Sequence, residues 1–259
     1  MGFPGSAEAF ASSKCAMDDI TRDWLGRTEW KMRYRTAFNS GGYGVHPSVS
    51  SFRMHPEAHD YGGRLIEALH DLGRNHSATG EPVSYTWTGL AGAKVCKTGY
   101  HRYGAALDFT KFAWGSEALV DLAVHGESDS LRMRRRYLAV VAVCRKFFGT
   151  VLHVHNDPDG SHWHHIHVDR GREGVALDWD FGTDVTIVQW AARDLAGMTE
   201  MVIDGIWGPQ TRSGYELLRD RFGARSVDPT AAADDGHAWM DLIARHGMAD
   251  GDAGEFTID

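Results

Sequence analysis

A chain of 259 residues is long enough for one sizeable core with an appendage, or for two modest domains. Its 42% hydrophobic and 24% charged residues are ordinary for a globular protein, and no apolar run approaches the ~20 residues of a membrane span. The net charge is −8, and the one conspicuous basic run, Arg134-Arg135-Arg136, reads as a solvated helix face, so nucleic acid is not an expected partner.

The elements follow in chain order. Residues 1–15 read as a loose arm. The N-terminal stretch lacks the basic start and apolar core of a secretory signal, which predicts cytoplasmic synthesis and release by another route. Met17 to Phe38 carries apolar residues at helical spacing, and the glycines of Asn39 to Gly44 mark a loop. Pro56 opens a predicted helix through Leu72, with Leu65, Ile66, Leu69 and Leu72 as its apolar stripe. Val83 to Thr88 alternates like a strand. Ser116–Val124 and Ser128–Phe148 read as helices, the second stopped by Gly149. Thr150–His155 and residues 164–169 read as strands joined by the loop Asn156 to Gly160. Strands and helices without a regular βαβ rhythm predict α+β, with helices packed on a small antiparallel sheet.

The histidine strand is the centre of interest. Four of the 15 histidines fall between His162 and His167. On a strand, His165, His167 and Asp169 share one face, while Ile166 and Val168 face a core. Such a face can be merely solvated, but two imidazoles aimed at one space also suit a neutral nitrogen site for zinc. Upstream, His101 and Asp108 stand seven positions apart, and Asp108 shares a strand face with Ala106 while Leu107 and Phe109 pack behind. Two histidines and one aspartate would leave a coordination position open, as catalytic zinc requires, with a further histidine beside it as general base. His153 and His155 lie on one face of their own strand and are alternative ligands or cleft residues. His164 has the wrong parity and reads as peripheral.

Spaced as His-x6-Asp and His-x2-His-x-His, these residues resemble the LAS group of zinc peptidases, which includes D-Ala-D-Ala carboxypeptidases and murein endopeptidases. Within it the likeness is to the extensin-like C-terminal domain, over roughly residues 80–170, carried by Cys96, His101-RYGAAL-Asp108, Cys144-RKFFGTVL and His162-WH-His165-I-His167-V-Asp169. The resemblance implies zinc ligands His101, Asp108 and His167, with His165 as base. It gives His162 the stabilisation of the transition state and Asp169 the support of a ligand. It also implies a Cys96–Cys144 bond, which cytosolic synthesis opposes. The family's serine before the first histidine is Tyr100 here, and the Glu-x-x-His motif of the carboxypeptidases is absent. Lys94, Lys97 and Arg102 are candidates for holding a stem-peptide carboxylate.

Farther on, Asp178–Asp184 reads as a linker, Val185–Leu195 as a helix, and a second helix runs from about Thr211 to Phe222. Between them, Asp204-Gly-Ile-Trp-Gly-Pro-Gln-Thr211 resembles the hallmark of the peptidoglycan-binding domain, a three-helix bundle in which Trp207 would plug the bundle and Thr211 cap the next helix. Ala238–His246 is one more helical candidate. The expected organisation is a catalytic domain over 1–177 (core 55–170), a linker over 178–184, and a wall-binding domain over 185–259 (core 185–223) with a tail. Together these predict a zinc-dependent peptidoglycan peptidase acting on the wall after release, as a phage-type endolysin or a delivered toxin. An amidase cutting the sugar–peptide bond, or a non-catalytic wall-binding protein, are the alternatives.

Overall fold

The computed structural model describes residues 21–22, 31–36, 44–45, 52–53, 56–76, 85–92, 99–103, 105–114, 118–157, 160–171 and 176–249. The N-terminal arm, Cys15, Lys94, Cys96 and Lys97 lie outside the described residues, as do residues 250–259. The strands are β1 (Thr21–Arg22), β2 (Lys31–Thr36), β3 (Gly44–Val45), β4 (Phe52–Arg53), β5 (Tyr85–Gly92), β6 (Ala106–Trp114), β7 (Ala118–Asp121), β8 (Thr150–Leu152) and β9 (Ile166–Asp169). The helices are α1 (Pro56–His76), α2 (Leu131–Phe147), α3 (Gly182–Asp194), α4 (Pro209–Arg221) and α5 (Ala233–Met248).

The architecture is α+β. Strands β1 and β4 form a small ribbon, and the main sheet runs β3-β2-β5-β6-β9-β8, with β7 also on β6. Its pairs are antiparallel except β2 with β5, the one departure from the expected antiparallel sheet. Among the described residues, strands stand where two helices were predicted. Met17–Phe38 holds β1 and β2, and the alternation of Lys31, Arg33 and Arg35 with Met32, Tyr34 and Thr36 explains β2. Ser116–Val124 holds β7, which extends the hydrogen bonding of β6 over four residues. That is too short a run for apolar spacing to distinguish strand from helix.

Helix α2 is the central beam. Ser130 caps it by accepting a hydrogen bond from the Met133 amide, and every residue from Arg135 to Arg145 is buried. A helix covered on all sides must be met by packing all round. Here α1, α3, α5 and strands β7, β8 and β9 all meet it. The closest approach is to α5: a Cβ on Gly247 would fall 2.6 Å from the Arg135 carbonyl oxygen and 3.0 Å from the Ala139 Cβ. Only a residue without a side chain lets these two helices touch so nearly.

The basic run is not a solvated face. Arg135 and Arg136 are buried, and α3 brings Asp194 against Arg134 and Arg135. The Asp194 carboxylate accepts from Arg134 Nε at 3.0 Å, Arg193 Nε at 2.9 Å and Trp190 Nε1 at 2.7 Å, and its backbone carbonyl accepts from Arg135 Nε at 2.6 Å. Burial alone would raise the Asp194 carboxyl, but the Arg193 and Arg134 guanidiniums win and hold it below the usual range. Nearby, fully buried Asp184 accepts from Arg145 at 2.6 and 3.0 Å and from the Asp178 amide at 3.0 Å.

The segment expected as a linker is therefore not a break in packing. Gly182, Thr183 and Asp184 are the first turn of α3, and one hydrophobic cluster runs from Leu65 and Phe109 through Tyr137 to Trp190, Leu218 and Trp239. Beyond it, the loop at 204–208 is organised by Gln189. Its Oε1 accepts from the Asp204 and Gly205 amides at 3.0 and 2.9 Å, and its Nε2 donates to Asp204 Oδ1 at 2.8 Å and Thr211 Oγ1 at 2.9 Å. Gly205, at φ +73°, crosses close to Gly182, where only glycine is comfortable. Trp207 is half-buried and stacks on Trp179 with ring centroids 4.2 Å apart. Thr211 does not cap the helix. Gly208 occupies that position with Pro209 following, and Thr211 sits inside α4 donating to the Ile206 carbonyl at 2.9 Å. The last candidate helix is longer than its spacing predicts and spans Ala233–Met248.

Candidate metal centre

Strands β6 and β9 set the centre by register. Asp108 and His167 are directly opposed across the pair, as are Ala106 and Asp169. Leu107, Phe109, Ile166 and Val168 point the other way and are fully buried, so the alternation read from the sequence is realised on both strands. His101 arrives from a short 3₁₀ turn at Tyr100–Tyr103, closed by a hydrogen bond from the Ala105 amide to the Tyr100 carbonyl at 3.0 Å. His101 is buried, as is Asp108.

The three predicted ligands meet. His101 Nε2 lies 2.9 Å from Asp108 Oδ1 and 3.1 Å from His167 Nδ1, and His167 Nδ1 lies 2.9 Å from the same Asp108 oxygen. His101, Asp108 and His167 form a group that could hold a metal ion, with one ligand atom from each and all three within 4.8 Å. Zinc–nitrogen and zinc–oxygen bonds of about 2.0–2.1 Å place tetrahedral ligand atoms roughly 3.3 Å apart, close to the separations here. The chemistry of the donors fits as well. His167 Nε2 lies 3.1 Å from Asp169 Oδ2, and Asp169 Oδ1 accepts from the Gly171 amide at 2.7 Å. With the His167 proton on Nε2 toward Asp169, its Nδ1 lone pair, the His101 ring and a carboxylate oxygen converge on one point. Three converging lone pairs repel one another unless a proton or a metal ion sits among them.

Without an ion, a proton on His167 takes up that place and the contacts become attractive. Burial would raise the Asp108 carboxyl, but hydrogen bonds from His101 and His167 hold it far below the usual carboxylate range. Burial would lower His167, yet Asp108 and Asp169 push it up to about 9. His165 is lowered to about 3, chiefly by burial and against the pull of Asp108, so its ring is neutral at pH 7.

The other expected site residues fall around this triangle. His165 precedes β9 in a turn rather than lying on the strand, and its Nε2 comes 3.7 Å from Asp108 Oδ1. The His162 ring stands 5.1 Å from that of His165 and 5.9 Å from that of His167. Two residues escape the sequence reading. Asp157 Oδ1 lies 3.0 Å from His162 Nδ1; the loop composition of Asn156 to Gly160 signals only a turn, although an orienting carboxylate is a general need of a working histidine. His164, read as peripheral, is buried with its Nε2 3.3 Å from His165 Nδ1.

His153 and His155 are not part of the group. The His153 ring lies 5.7 Å and the His155 ring 4.4 Å from that of Trp190, and His153 Nε2 lies 3.3 Å from Thr186 Oγ1. Burial lowers His153 well below its ordinary value, with His155 and His162 adding to the effect. Burial likewise lowers His155 to about 4, with Arg193 and Arg134 adding to it and Asp194 opposing. A depressed histidine stabilises the fold above its unfolded pKa of about 6.5, and this contribution drains away as pH falls toward the folded value. For His155 it amounts to about 3 kcal/mol between pH 7 and 4. Urea midpoints should therefore drop steadily below pH 6.5, and His155→Phe should flatten that slope; equal slopes in the two proteins would contradict it.

Cys144 is a free, buried thiol, and burial pushes its pKa up. No helix of the described residues is long and apolar enough to cross a membrane. No protein-family model, curated protein or solved structure matches the chain, so the case for its chemistry rests on the side chains themselves.

Proposed function

We propose that the chain is a zinc-dependent peptidoglycan hydrolase that cuts a peptide bond in a stem peptide or cross-link. The observation that carries this reading is the convergence of His101, Asp108 and His167 with the neutral His165 ring beside them. His101 Nε2, Asp108 Oδ1 and His167 Nδ1 would hold the ion, which leaves room for water and substrate. Zinc bound there supplies Lewis acidity, bringing the pKa of a water to about 7 and polarising a carbonyl.

The remaining residues would do the proton work. His165 Nε2 takes the proton that water loses as its oxygen attacks the carbonyl carbon, and then delivers it to the amine as the C–N bond breaks. His162, steadied through Nδ1 by Asp157, faces the charge that develops on the carbonyl oxygen. Asp169 keeps His167 in the tautomer that offers Nδ1. Helices α3 to α5, with the Gln189-centred loop, would hold the wall polymer and raise the local concentration of scissile bonds. Release from the cell that makes it, as an endolysin or delivered toxin, would bring the enzyme to its substrate.

The test is digestion of purified sacculi with zinc-loaded protein, followed by mass spectrometry of the products. A peptidase yields new amino and carboxyl termini within the peptide, whereas an amidase frees the peptide from the sugar lactyl group. His165→Ala should keep its zinc and lose at least a hundredfold in turnover, within the usual range for a general base. Zinc-loaded protein that binds sacculi yet releases nothing would make the chain a non-catalytic wall-binding protein.

A further inference from the structure

A general base needs its lone pair on the nitrogen that faces the reaction. Neutral imidazole carries one proton, and which nitrogen holds it is set by the hydrogen bond made by the other. His165 Nε2 is the nitrogen on the metal side, 3.7 Å from Asp108 Oδ1. Its other nitrogen, Nδ1, lies 3.3 Å from Nε2 of His164, whose ring meets it edge-on with centroids 4.6 Å apart. His164 is itself 5% exposed, and Trp163, half in solvent, packs on its outer side at 4.6 Å.

We propose that His164 is a positioning residue that fixes the tautomer and orientation of His165. This rests on the hydrolase reading above for its purpose, though not for its geometry. Of the two directions this contact allows, the one that serves the base has His164 protonated on Nδ1 and its Nε2 accepting the Nδ1–H of His165. The His165 proton is thereby confined to the side away from the centre, and the Nε2 lone pair is presented toward it. An imidazole acceptor is uncharged, so it orients the base without attracting a second proton, as a carboxylate would. The Trp163 ring packs against His164 at a tilt, with centroids 4.6 Å apart.

The test uses the full-length protein loaded with zinc, and two variants. His164→Leu removes the acceptor, while His164→Gln keeps one, because its amide oxygen can take the Nδ1–H bond. Nitrogen-15 spectra of the histidine side chains should show His165 of the parent protein protonated on Nδ1. In H164L the signals should move to a mixture of tautomers, and in H164Q they should return. In sacculi digestion kcat should fall on the order of 10–100-fold in H164L, the usual scale for a lost orienting partner. KM and zinc content should be unchanged, and H164Q should recover most of the loss. A parent protein with His165 protonated on Nε2, or an H164L variant with undiminished kcat, would overturn the proposal. If no preparation hydrolyses sacculi, the hydrolase reading fails, and the tautomer spectra still decide whether His164 sets the His165 proton.

Discussion

If zinc sits where we propose, replacing Asp108 by Asn should remove it while leaving the fold in place. The two side chains have the same shape, but the amide lacks the charge that binds a divalent ion and that two histidines now share at 2.9 Å. Loss of an outer partner such as Asp169 typically costs 10–100-fold in affinity or activity. Loss of the ligand itself should exceed that range, with zinc content after dialysis near zero and hydrolysis at background. His101→Ala should do the same. Asp169→Asn should retain zinc at higher free-metal concentrations and lose activity only in proportion. Full zinc occupancy in Asp108→Asn, measured by elemental analysis, would dismiss the triangle as a metal centre.

The largest effect on stability is expected at Asp184. Its carboxylate is fully buried and takes two hydrogen bonds from Arg145, which is 3% exposed. Asp184→Ala leaves a guanidinium charge without its partner in a place water does not reach. Breaking a buried pair in this way costs about 3–5 kcal/mol. For a chain of this size the melting temperature should drop by roughly 10 °C. Replacing both residues by Leu and Met should recover much of the loss, since the well-packed apolar pair removes the stranded charge. A single variant that melts with the parent protein would show the pair to be dispensable.

How much was legible in the sequence depends on the range over which each signal acts. Strands β6 and β9 were readable because a period of two puts Asp108, His167 and Asp169 opposite Leu107, Ile166 and Val168 whatever surrounds them. The stripe of α1 was readable from its own period of about 3.6, which buries Leu65, Leu69 and Leu72. The partners of Arg134, Arg135 and Arg145 were not, because Asp184 and Asp194 lie far along the chain and nothing local marks a charge as paired. A basic run on a helix looks the same whether solvent or a carboxylate meets it. His164 was misplaced because strand parity was extended one turn too far; β9 begins at Ile166, and the turn before it swings His164 inward. Thr211 was assigned as a cap by analogy of spacing, whereas Gln189 had already drawn its hydroxyl into the loop.

The way α2 is enclosed limits how such a chain can be rearranged. Its last three helices cannot be traded as a cassette for another tail, since Tyr137 rests edge-on against Trp190 at 5.2 Å and the arginines of α2 draw their counter-charges from α3. A replacement would have to supply an indole in the same socket and carboxylates at the same heights. A graft that lacked either would leave Arg145 and Tyr137 facing partners that no longer fit them.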